Sequence, residues 1–120
     1  MFNKKLKTIF FLLIIFKINV VFALGDFVSP KEIEKFYSDS TTKFEVIFYF
    51  SGLGSGISWS NTILQAKLYC PSSDQAFSGD DYYSIYKAEY LRNKKLWDSL
   101  DYQPPAMVLL DGLKYNFPCD

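Results

Sequence analysis

The chain has 120 residues, 13 Lys+Arg against 13 Asp+Glu and no His; 49% of its residues are apolar and 19% aromatic. That length holds one domain at most. The aromatic content argues against a disordered tail, and the balanced charge against a nucleic-acid binder that works through a basic surface. The missing His removes the usual general base, the commonest metal ligand and the physiological-pH switch.

The first 23 residues read as a secretory signal peptide. Lys4, Lys5 and Lys7 precede the apolar run from Thr8 to Phe16, and Val21 and Ala23 occupy the small-residue positions of a cleavage site after Ala23. The apolar run is about half of the roughly 20 residues that span a bilayer, and Lys17 interrupts any longer one, which disfavours a membrane anchor. Cleavage removes four lysines and no acid. The remaining domain, residues 24–120, then holds 9 basic against 13 acidic side chains, a net charge of −4. The expected location is an oxidising exported compartment.

Cys70 and Cys119 are the only cysteines. In such a compartment they are expected to pair. A metal site built on two thiols without His is poor, and a nucleophilic thiol lacks its base. No metal or cofactor is expected.

In chain order, Ser29-Pro30-Lys31-Glu32 is a helix-start pattern: a capping Ser, Pro at the first helical position and Glu three residues past the cap. It predicts a helix over Pro30–Ser38. From Lys43 to Leu68 two readings stay open. Val46 to Phe50 is rich in β-branched and aromatic residues and glycines follow, as in a hairpin. Yet Phe44, Ile47, Phe48, Ser51, Gly52, Ser55, Gly56, Trp59 and Ile63 recur at helical spacing, and on a helix Gly52 and Gly56 would let a neighbour pack closely. The glycine run lacks the Lys and Ser/Thr of a phosphate loop.

Asp80 or Asp81 is expected to cap a further helix running to about Asn93. Lys94 to Gln103 reads as a polar connector whose Leu96 and Trp97 fold back onto the core. Pro104-Pro105 opens a last helix, Ala106 to about Tyr115, with Ala106, Leu109, Leu110 and Leu113 as its buried stripe. Adjacent acids at a helix start are read as capping groups before any acid/base pair. Ser58 and Ser60 have no His to activate them. The nine tyrosines, all beyond residue 36, either pack the core or anchor a protein interface.

Several of these segments together form a more specific pattern. Gly52, Gly56 and Trp59 are followed by Tyr69-Cys70-Pro71, then Tyr90-Leu91, Pro104-Pro105-Ala106 and a closing Phe117-Pro118-Cys119. In this the chain resembles the Rap/Tai family of bacterial immunity proteins. The resemblance implies an all-α fold, a small bundle of about four helices closed by Cys70–Cys119, and so selects helix for the stretch after Lys43. It also implies Gly52 and Gly56 as close-packing positions. The implied activity is the binding and blocking of a cognate peptidoglycan amidase toxin of type VI secretion by filling its active-site cleft; characterised members work as dimers, so a homodimer is an expectation here. Candidate partner contacts are Asp80, Asp81, Tyr82 and Tyr83 at one helix start, and Lys94, Lys95, Trp97 and Tyr102 in the connector. A small periplasmic stress chaperone, switching through carboxylates alone, is the rival reading, and a hydrolase the weakest one.

Overall fold

The structure, a computed structural model, describes residues 29–120; the expected signal peptide lies outside them. The described residues form five helices and no strand: α1 Pro30–Ser38, α2 Lys43–Ile63, α3 Gly79–Arg92, α4 Lys94–Asp98 and α5 Pro105–Asn116. The fold is all-α, closed by a disulfide between Cys70 and Cys119.

Local chemistry sets the helix starts. Ser29 and Glu32 form a reciprocal capping box: the Glu32 backbone N–H donates to Ser29 Oγ, and the Ser29 backbone N–H donates to the Glu32 carboxylate at 2.9 Å. A second box starts α3, where the cap is Ser78 and Asp81 supplies the returning carboxylate at 2.7 Å. The sequence placed the cap at Asp80 or Asp81. The observed helix starts earlier because Ser78 has the extended backbone that its hydroxyl needs to reach the N–H three residues on. α5 begins at Pro105, whose missing N–H costs nothing in a first turn.

The stretch that allowed two readings is one helix of 21 residues. Its hairpin-like composition is outweighed by tertiary burial: Val46, Phe50, Gly54 and Asn61 face the core, a stripe at helical spacing. α3 is the central element. It packs on α2 along one side and α5 along the other, α1 lies on α2, and α4 extends from the end of α3. Phe50, Tyr82, Tyr83, Tyr86, Trp97, Val108, Leu109 and Leu113 form the body of the core. In α5 the buried stripe includes Val108 beside Leu109 and Leu113, while Leu110 is only half-buried.

The close-packing positions are not the expected ones. A side chain added at Gly52 or Gly56 would meet nothing within 4 Å, because both lie on the outer face of α2. The tight positions are Gly54, where a Cβ would lie 2.3 Å from the Tyr82 ring, Gly79, 2.2 Å from the Ile47 carbonyl oxygen, and Gly112, 2.8 Å from Ile85. None of the described glycines has a positive φ, so these three are needed for space alone. The stripe drawn through Phe44, Phe48, Gly52 and Gly56 had the right period but the wrong phase: a helix apolar on all sides gives no clue to which side faces inward.

Between α2 and α3 the chain turns back along the last turns of α2. Asn61 clamps it: its amide NH2 donates to the Tyr69 carbonyl at 2.8 Å and its Oδ1 accepts from the Leu68 N–H at 2.7 Å. The Cys70 N–H then bonds the Phe117 carbonyl at 2.8 Å, beside the disulfide. The cross-link closes a loop containing α3, α4 and α5. Replacing both cysteines by serine should therefore lower the unfolding free energy by about 2–4 kcal/mol in a urea titration. Gly54→Ala should lower it by about 1–3 kcal/mol, because the Tyr82 ring has no room to retreat within the core; an unchanged urea midpoint would contradict the close approach.

Candidate functional site

The eight residues expected to contact a partner separate into two sets with different fates. In the first, Tyr82 and Tyr83 are core residues, only 4% and 3% exposed, which corrects their assignment to a surface. Positions 82 and 83 of a helix differ by about 100° in direction, so both can be buried only if different neighbours cover them. α2 covers Tyr82 at Gly54, with the Tyr82 hydroxyl 2.9 Å from Ser58 Oγ, and α1 covers Tyr83 by stacking Tyr37 on it at 3.8 Å. Asp80 accepts the Tyr37 hydroxyl proton at 2.8 Å and tethers α1 to α3, a role repeated by the Lys87–Glu34 ion pair at 2.9 Å. Asp81 is occupied in the capping box. The first set is thus mostly structural.

The second set remains a candidate. Trp97 is 2% exposed and is not a contact but the anchor that holds the short helix α4 onto the body. Lys94 and Asp98 form an ion pair one turn apart, and Asp98 also accepts the Tyr90 hydroxyl proton. Lys94 and Tyr90 together hold the Asp98 carboxyl below its ordinary range, the Lys94 bond being the larger cause. These bonds fix the orientation of α4 against the end of α3. Leu96, expected to fold inward with Trp97, instead points to solvent, as do Lys95, Leu100 and Tyr102. Tyr102 also lies near Tyr49, whose phenol is pushed up by burial first and by Tyr102 second.

Beneath this segment sits a buried charge. Glu89 is 2% exposed; it forms an ion pair with Arg92, and its other oxygen accepts from the Asn93 amide at 2.8 Å. Arg92 also lies over the Tyr115 ring at 3.8 Å, linking α3 to α5. The carboxylate thereby ties the last turn of α3, the start of α4 and α5 together. Arg92 and Asn93 lie within one turn of Glu89 in sequence, whereas Tyr115, under Arg92, comes from a distant helix.

Among the described residues no group of three or more His, Cys, Asp or Glu could hold a metal ion. No helix among them is long and apolar enough to cross a membrane. Comparison with protein-family models, curated proteins and solved structures yields no match. The resemblance read in the sequence thus rests on the motifs alone.

The helix ends carry a pH dependence. Hydrogen bonds from Ser29 and from Ser78 hold Glu32 and Asp81 below their ordinary values, backbone first for Glu32 and side chain first for Asp81. Thr41, through its backbone N–H and then its hydroxyl, does the same for Asp39. Each group is ionised in the fold at a pH where the unfolded chain already holds a proton. The stabilisation is therefore complete above the ordinary carboxylate values of about 4 and is lost as pH falls through the depressed ones. The thermal midpoint should stay level from pH 7 to 5 and drop below about pH 4. In the Ser29→Ala, Ser78→Ala double variant the drop should be shallower, and an identical acid limb would contradict the capping origin.

Proposed function

We propose that this chain is an exported binding protein, an immunity protein that protects its producer by occluding the cleft of a peptidoglycan amidase toxin. The observation that supports this most directly is the connector after α3. Trp97 and the Lys94–Asp98–Tyr90 cluster hold it rigid, while it presents Lys95, Leu96, Leu100 and Tyr102 outward. A protein that blocks a cleft needs a protruding segment with apolar anchors that is already ordered before binding, so that little conformational entropy is lost on association. The disulfide-closed body supplies the support, and the Rap/Tai-like motifs supply the class of partner. Within this reading Tyr102 and Leu96 are the anchors, and Lys95 is the polar rim.

Co-expression with a cell-wall amidase encoded next to this chain tests the reading. The expected outcome is protection of the cells and recovery of a stable complex. Leu96→Ala should weaken that complex at least tenfold, equivalent to about 1.4 kcal/mol, with the thermal midpoint unchanged. Asp81→Asn should leave affinity nearly intact while lowering stability, because that residue caps a helix. Absence of both complex and protection would remove the immunity role; suppression of aggregation of unrelated proteins near pH 3 would replace it with the chaperone reading.

A further inference from the structure

The four most exposed large apolar side chains among the described residues lie on one side of one helix. Phe44, Phe48, Trp59 and Ile63 of α2 are 65%, 63%, 70% and 69% exposed, on the side away from Val46, Phe50 and Gly54, and Tyr49 and Leu64 flank them. Charge is missing from the same stretch. Between Glu45 and Lys67 no residue is charged, although 22% of the whole chain is, so the charged groups are segregated from this face.

Shape and charge together select what can cover it. Phe44 and Phe48 pack edge to face at 4.5 Å near one end of the helix, and Trp59 stands about 16 Å further along the axis from Phe48. Between these bulky ends come Gly52, Ser55 and Gly56, and a side chain added at either glycine would meet nothing within 4 Å. The result is a convex ridge with two apolar tips. A ridge has no walls to enclose a small molecule. A soluble protein is registered on its partner by a polar rim, and residues 46–66 supply no charge for one.

The zone between lipid headgroups and acyl chains has no such requirement. Aromatic side chains are favoured there, and a helix lying in that plane buries one face by about 5–10 Å. With no cation among residues 44–66, attraction cannot come from headgroup charge and must come from apolar tips filling gaps between loosely packed lipids. Charge also decides which lipid. Residues 24–120 carry a net charge of −4, and Glu45 sits beside Phe44, so an anionic surface repels the domain.

We propose that the outer face of α2 docks the folded domain on a zwitterionic, loosely packed bilayer, with Phe44 and Phe48 at one end and Trp59 and Ile63 at the other inserted below the headgroups. The contact is peripheral: no helix among the described residues is long and apolar enough to cross a membrane. On the signal-peptide reading the bilayer is also within reach, since at most about 20 Å of extended chain separates Ala23 from Ser29. The connector after α3 is a separate surface, so this docking does not depend on the toxin-binding reading.

Mixing the purified protein with small vesicles of phosphatidylcholine and phosphatidylethanolamine tests the contact. The protein should float with the vesicles and its tryptophan emission should shift to the blue. That shift reports Trp59, because the chain's other tryptophan, Trp97, is already buried. The Phe48→Ser, Trp59→Ser double variant should bind roughly tenfold more weakly or worse, with its helical circular dichroism retained because both side chains lie in water. Any leader left on the chain is the same in both proteins and cannot produce the difference. Raising the salt concentration should leave wild-type binding unchanged, and replacing part of the lipid by phosphatidylglycerol should weaken it. Leu96→Ala should bind vesicles as wild type does, which separates this result from the amidase experiment. Absence of vesicle binding, binding that high salt abolishes, a double variant that binds like wild type, or a Trp59 already shielded from a soluble quencher without lipid would each overturn the proposal.

Discussion

The fold depends on how closely α3 can approach its two neighbours. Gly54 of α2 lies under the Tyr82 ring, Gly79 at the start of α3 lies against the Ile47 carbonyl, and Gly112 of α5 lies against Ile85. At each contact the missing Cβ lets a helix backbone meet a large side chain or another backbone, so three helices converge on one tyrosine-rich core. Interior glycine costs about 1 kcal/mol relative to alanine in a helix, a cost offset by the aromatic burial that the close approach allows. Once α3 is seated this way, α1 can stack Tyr37 on Tyr83, and α4 can only extend from the far end, pinned by Trp97.

Around that core, polar groups organise the parts that lack regular structure. Asn61 satisfies backbone groups of the returning chain at Leu68 and Tyr69, and the Tyr69 hydroxyl lies 2.8 Å from Ser58 Oγ, which also reaches Tyr82. This places Cys70 beside the last turn of the chain. The Cys70–Phe117 backbone bond and the disulfide then close the body. Glu89 acts similarly at the opposite end: burying a carboxylate is costly unless its oxygens are bonded, and Arg92 and Asn93 bond them. Two surfaces are left over. The connector is polar at its base and apolar at its tip, and the outer face of α2 exposes Phe44, Phe48, Trp59 and Ile63.

Much of this was legible in the chain. The capping box at Ser29 and Glu32 located α1, and the proline pair located α5 to within a residue, because caps and prolines act on their immediate neighbours. The disulfide was legible because only two cysteines exist. Tyr82 and Tyr83 were misread because a tyrosine at a helix start suits a wet surface as well as a core, and its neighbours come from residues 37 and 54. α4 was read as part of a connector because a five-residue helix held by one tryptophan has little local pattern of its own.

By itself the sequence determined where α1 and α5 begin and that the two cysteines would join. It could not determine the phase of α2. Helical period is a property of one segment, whereas which face is covered depends on the shape of the elements laid against it. Only the tertiary structure placed Gly54 inward under Tyr82 and turned Gly52, Gly56, Phe48 and Trp59 outward. That choice of face put the expected packing glycines at the centre of an exposed, largely apolar surface.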